Sequence, residues 1–242
     1  MKRLLLMLVL TFVNHLAFSQ TPADLTKHSV ETGGTSFYYY ATAKQSKSLV
    51  ILFHDWFGIS ELSYEMARRV QESGKDAILI DLYKGKSAKT NAEAGALMNS
   101  IDQANAWNFV DKVVDEANGK YDNIYLWGFS LGTLPASETA IKHNDKVKGL
   151  VLFYGNVTRD PEKLVKMTFP SLMVMGSKDN PNAAIAFFQA VDKVSANSTL
   201  FIYPNMPHAF AQKLFNGGRN YNEKAKEASL EVAFTFLKDL EN

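Results

Sequence analysis

The sequence predicts an α/β fold, a mainly parallel, doubly wound sheet preceded by an antiparallel hairpin, in one domain over residues 20–242. Three observations predict it. Short apolar runs recur at 49–53, 77–80, 123–127, 147–153, 171–175 and 199–203, the pattern of strands buried on both faces. Helical segments separate most of them, which indicates parallel strands joined by crossovers. Residues 25–30 and 35–42 break that alternation, because they are two β-prone runs around Gly33-Gly34, a hairpin signal. A chain of 242 residues with 46% hydrophobic content can bury one sizeable core of this kind.

Taken in order, residues 1–19 stand outside the domain. Met1-Lys2-Arg3 is a basic start, Leu4 to Val13 an apolar run, and Ala17-Phe18-Ser19 a small-residue cleavage site before Gln20. This is the layout of a secretory signal peptide. Asn14 and His15 interrupt the run, which is short for a spanning helix. The expectation is a secreted or periplasmic protein with no stable membrane insertion after cleavage. The hairpin follows, its second strand rich in aromatics from Phe37 to Tyr40. Leu49 to Phe53 is the first buried strand, and Glu61 to Ser73 the helix after it. Ala77 to Ile80 is the next strand and ends in Asp81-Leu82-Tyr83. Residues 91–118 read as one long helix with Leu97, Ile101, Ala104, Phe109, Val113 and Val114 on its apolar face. Asn123 to Trp127, Val147 to Phe153, Ser171 to Met175 and Thr199 to Tyr203 complete the sheet. Helices are expected at 133–143, 182–194 and 221–240.

Composition narrows the chemistry. The net charge is +1, or −1 without Lys2 and Arg3, so nothing favours nucleic acid as a partner. There is no cysteine, which excludes thiol catalysis, cysteine-ligated zinc and iron–sulfur clusters. No His-Glu-x-x-His, phosphate-binding loop or dinucleotide fingerprint is present. No cofactor and no metal are expected.

Gly128-Phe129-Ser130-Leu131-Gly132 joins the strand at 123–127 to the helix at 133–143. Gly-x-Ser-x-Gly between a strand and a helix is the nucleophile elbow of an α/β-hydrolase. The serine must sit on a strained, very sharp turn, and a Cβ on either glycine would strike the neighbouring strand or helix. In an open parallel sheet the site lies at the carboxyl ends of the strands. Asp179, just past the strand at 171–175, and His208, just past the strand at 199–203, lie on that edge. Asp145 and His143 lie on the opposite one, and His28 in the hairpin. The order Ser130, Asp179, His208 is that of an α/β-hydrolase triad. Ser130 would attack an acyl carbonyl, His208 would move its proton, and Asp179 would hold the imidazole. The oxyanion needs two fixed donors, assigned to the backbone N–H groups of Leu131 and Trp56. His54 ends a strand on the same edge and is a rival base; immediately before the oxyanion loop, it is read as structural.

His54-Asp55-Trp56-Phe57-Gly58, Asp81-Leu82-Tyr83, the elbow, Tyr154-Gly155, Gly176-Ser177-Lys178-Asp179 and His208-Ala209-Phe210 together resemble the dienelactone hydrolase family, over about residues 48–240. The resemblance implies an α/β-hydrolase that opens ester or lactone bonds. The chain departs from the family at telling positions. Ser130 stands where the family has a cysteine nucleophile, and Asp55 where it has a glutamate. The two places where the family grips a substrate carboxylate with arginine hold Lys84-Gly85-Lys86 and Gln212. Lysine lacks the bidentate fork of arginine, so neutral esters should be preferred over carboxylated lactones.

Only residues 155–170 separate two strands where lids are commonly inserted, so no cap domain is expected. Trp56, Phe57, Tyr83, Phe129, Tyr154, Met206 and Phe210 are candidate walls, with Asp55, Phe57, Tyr83, Phe129 and Phe210 taken as substrate-binding. An open aromatic site suits a small-molecule ester or an acylated carbohydrate. The leading expectation is an exported serine esterase; a peptidase and a non-catalytic secreted binding protein on the same scaffold remain alternatives.

Overall fold

The computed structural model describes residues 24–241 apart from 181, 192, 195 and 196. The expected signal peptide lies outside the described residues. Eight strands form one sheet: β1 (Leu25–Thr32), β2 (Thr35–Thr42), β3 (Ser48–Phe53), β4 (Asp76–Asp81), β5 (Asn123–Phe129), β6 (Val147–Phe153), β7 (Ser171–Gly176) and β8 (Ser198–Tyr203). Their order is β1-β2-β4-β3-β5-β6-β7-β8. β1 and β2 form the hairpin, β2 joins β4 antiparallel, and every other pairing is parallel. The helices are α1 (Glu61–Glu72), α2 (Asn91–Asn99), α3 (Gln103–Asn118), α4 (Thr133–Lys142), α5 (Pro161–Leu164), α6 (Asn182–Val191) and α7 (Glu223–Asp239).

The continuous apolar runs become the inner strands because both faces are covered. β3, β4 and β7 are buried at every residue. Alternate side chains serve opposite layers, as strand geometry requires. Leu49, Ile51, Phe53, Leu126 and Leu152 pack with Phe109, Val113, Ala136, Ala140 and Phe187, from α3, α4 and α6. Val50, Leu52, Trp127, Val151 and Val174 pack with Met66, Val70, Leu230 and Leu237, from α1 and α7. This is the doubly wound α/β-hydrolase architecture that the sequence predicts.

One expected helix is two. The segment 91–118 breaks at Ser100–Asp102, because Asp102 turns extended and its carboxylate accepts the Asn105 N–H at 3.2 Å, capping α3 afresh. α2 is thereby freed to pack separately, and its Met98 borders the site. Between β6 and β7 there is only the four-residue α5, with no inserted cap. Among the described residues, no helix is long and apolar enough to cross a membrane.

Candidate active site

β5 runs at the centre of the sheet and ends at Phe129. Ser130 follows with φ +47, a left-handed conformation that a non-glycine residue adopts only under strain. The flanking glycines make the turn possible. A Cβ on Gly132 would lie 2.5 Å from the carbonyl oxygens of Phe53 and His54, and one on Gly128 would meet Thr133 Cα at 2.8 Å. The expected collisions are therefore with backbone on both sides of the serine.

The loops after β7 and β8 carry the other two members and are pinned together. Ser177 N–H donates to the Tyr203 carbonyl at 2.9 Å, and Lys178 N–H to the Met206 carbonyl at 2.9 Å. Asn205 N–H donates to Ser177 Oγ at 2.8 Å. Asn220 Nδ2 holds the His208 carbonyl at 2.7 Å from the far side of its loop. His208 Nδ1 thus reaches Asp179 Oδ2 at 2.8 Å, and its Nε2 reaches Ser130 Oγ at 2.9 Å. A carboxylate only accepts, so Nδ1 carries the proton and Nε2 is left bare to accept from the serine hydroxyl. The side chains of His208 and Asp179 are 32% and 14% exposed, so the imidazole meets solvent while the carboxylate bonded to it is largely shielded.

The loop after β3 supplies the candidate oxyanion donor. Phe57 N–H donates to Asp55 Oδ1 at 2.8 Å, and Gly58 N–H to the Asp55 carbonyl at 3.2 Å. The Trp56 carbonyl accepts from Tyr83 Oη at 3.0 Å, and the Phe57 carbonyl from Ala88 N–H at 2.9 Å. The Trp56 N–H takes no acceptor among the described residues.

Ser130, Asp179, His208, Leu131 and Trp56 all border one cavity of about 560 Å³. The five residues expected to bind substrate do not. Phe129 and Phe210 pack beneath the site against Tyr154. Phe57 packs on Ala88 and Ala94. Tyr83 is buried and spends its hydroxyl on the oxyanion loop. Asp55 is buried and bonded at both oxygens, to Phe57 N–H and Gln212 Nε2. For the four aromatics the cause is shared, since an aromatic on a strand end or tight loop covers more core than cavity; Asp55 is turned inward by its two hydrogen bonds. Of the other candidate walls, Trp56 and Tyr154 do line the cavity, and Met206 does not.

Gln212 is also displaced from its expected role. It is buried, donates to Asp55 and accepts from Leu214 N–H at 3.0 Å, so it faces away from substrate. Lys84 and Lys86 do not border the cavity either. Arg159 does, on the loop between β6 and α5, and among the described residues no other lysine or arginine lines this cavity. The sequence carried a usable signal for it, since any residue shortly past Tyr154 stands at the reactive edge of the sheet. Met98, Leu134, Gly155, Asn156, Met175, Asn180 and Phe215 complete the missed lining.

Two buried groups are electrostatically unusual. Burial pushes the Asp55 carboxyl above the ordinary carboxylate range, against the opposing hydrogen bonds from Gln212 and Phe57. Burial, with the Asp55 charge nearby, raises the Tyr154 phenol well above its usual value, so it stays neutral. Tyr154 sits at φ +41 with its ring edge-on to His208, centroids 5.5 Å apart. No cluster of metal-ligating side chains occurs among the described residues.

The family model that describes the dienelactone hydrolase family matches residues 37–240. A protein of Aquifex aeolicus named "putative carboxymethylenebutenolidase" is 26% identical, over 89% of this chain and 96% of its own. One of the same name from Saccharolobus solfataricus is 23% identical, over 83% and 92%. Among solved structures, a dienelactone hydrolase-like promiscuous phosphotriesterase from metagenomic libraries superposes with a TM-score of 0.73 at 18% identity, covering 91% of this chain and 99% of that one.

Proposed function

The chain belongs to the dienelactone hydrolase family, and we propose that it is an exported serine hydrolase that cleaves carboxylic ester or lactone bonds. The observation that carries this reading is the unbroken hydrogen-bond chain from Ser130 Oγ through the His208 ring to Asp179, opening on a cavity. Ser130 Oγ attacks the acyl carbon while His208 Nε2 takes its proton. The carbonyl oxygen becomes an oxyanion and accepts from the N–H groups of Trp56 and Leu131. Asp179 stabilises the imidazolium. Collapse of the tetrahedral adduct expels the alcohol oxygen, which His208 protonates, leaving an acyl-enzyme on Ser130. Water, deprotonated by His208, then attacks the acyl carbon, and collapse returns the proton to Ser130 and releases the acid. A binding-only scaffold has no need of this hydrogen-bond register.

Export rests on the basic start, the apolar run and the small residues Ala17 and Ser19. N-terminal sequencing of the exported protein should read from near Gln20. An intact Met1 in a washed membrane pellet would reverse that reading.

The cavity composition revises the expected selectivity. Its walls are largely apolar, with Arg159 the one guanidinium at the lining among the described residues. Gln212, expected to disfavour carboxylates, does not meet substrate. Carboxylated and neutral esters of one size should therefore both be hydrolysed. Arg159→Gln should lower kcat/KM about five- to tenfold for the carboxylated member alone, the worth of one solvated charge-assisted contact. The measurement is kcat/KM for a matched pair on both proteins. No hydrolysis of either ester would sink the esterase reading; equal losses on both would remove Arg159 from recognition.

A further inference from the structure

His54 is buried, at 4% exposure, and the proposed chemistry leaves it without a part. Its two ring nitrogens face different partners. Nδ1 lies 2.6 Å from the Asp55 carbonyl oxygen. Nε2 lies 3.1 Å from the backbone N–H of Leu82, just past β4. A carbonyl only accepts and an N–H only donates, so one assignment satisfies both: Nδ1 carries the hydrogen and Nε2 is bare. His54 is thus a neutral imidazole with neither nitrogen free to act as a base.

The bond from Nδ1 has a geometric consequence. The Asp55 carbonyl and the Trp56 N–H belong to one peptide unit, which is trans. In a trans peptide the two point in opposite directions. Holding the carbonyl against His54 and Gly58 therefore turns the Trp56 N–H the other way, where it meets no acceptor among the described residues. The next peptide is held from the other side, its carbonyl by Tyr83 Oη and its N–H by Asp55 Oδ1. We propose that His54 is a positioning residue for the reaction, its Nδ1–H fixing the 55–56 peptide so that the Trp56 N–H stands ready for the oxyanion. Its Nε2 has a separate and purely architectural task, tying the loop after β3 to the loop after β4. The inference rests on the serine-hydrolase reading.

Two substitutions separate the tasks. His54→Asn keeps an N–H near the position of Nδ1 and abandons Leu82; His54→Gln keeps an acceptor near Nε2 and abandons the Asp55 carbonyl. His54→Gln should lose about 10- to 100-fold in kcat with KM within about threefold, short of deleting an oxyanion donor outright. Its affinity for a boronic acid that forms the tetrahedral adduct should fall by a similar factor. His54→Asn should recover most of kcat even where its melting temperature is the lower of the two. Equal kcat losses in both variants, or losses that follow melting temperature, would overturn the proposal. If His54→Gln does not fold, the wild-type tautomer decides: nitrogen NMR should report a protonated Nδ1, and a protonated Nε2 would refute the assignment. Wild-type protein inert toward both esters and a fluorophosphonate would instead refute the underlying hydrolase reading.

Discussion

Ser130→Ala should lower kcat by roughly ten-thousand- to million-fold, and His208→Ala should do the same, with neither changing the fold. The scale is that of deleting one member of a triad that works as a unit, about 5–8 kcal/mol in the barrier. Ser130 loses one partly exposed oxygen, whose hydrogen-bond partner His208 is itself solvent-accessible, so stability should be nearly unchanged. The double variant should be little worse than either single one, because each already removes the nucleophile–base pair. Steady-state kinetics on the four proteins, with circular dichroism as the folding control, checks this. Additive losses in the double variant would mean that the two residues do not serve one step.

Gly128→Ala should cost about 3 kcal/mol or more of stability, and much of the activity with it. The added Cβ falls against backbone atoms of Gly132 and Thr133, at the entry to α4, which cannot rotate aside. Relief requires the strand and the helix to part, and that displaces Ser130. For a domain of this size the melting temperature should fall by about 6–12 °C. Gly119→Ala is the matched control. Gly119 caps α3 at φ −78, and a Cβ there meets only the Glu116 carbonyl, at 3.8 Å. Thermal unfolding of both variants gives the comparison. Equal melting temperatures would show that the elbow has slack the close approach does not suggest.

The sheet was legible because its inner strands are buried on both faces and so leave unbroken apolar runs. β2 and β6 appear with the limits their runs predicted, and the other strands differ by one or two residues at their ends. The hairpin was legible through Gly33 and Gly34, which both take positive φ. The break between α2 and α3 was not, since the apolar spacing runs through it and only the Asp102 cap marks it. In the site, chain order and strand ends brought Ser130, Asp179 and His208 to notice, and those side chains are within hydrogen-bond distance. The cavity wall was less legible. Phe57, Phe129 and Phe210 sit close to site residues in sequence, yet Phe129 ends β5 with its ring on Tyr154, and Phe57 and Phe210 lie in turns that bury their rings. Arg159 follows Tyr154 at the reactive edge and could have been noticed from that place alone, whereas Phe215 comes from a short helical turn far along the chain, and only the folded chain assigns it to the cavity. The pairing of Gln212 with Asp55 joins residues 157 positions apart, and no local pattern encodes it.

Reaction with a fluorophosphonate tests the central claim most directly, because the reagent marks a serine only where a base and oxyanion donors activate it. Intact-mass and peptide analysis of the wild-type protein should show one adduct, on Ser130, absent from Ser130→Ala and formed far more slowly in His208→Ala. A wild-type protein left unlabelled under conditions that saturate an authentic serine hydrolase, or an adduct on a different residue, would contradict the account.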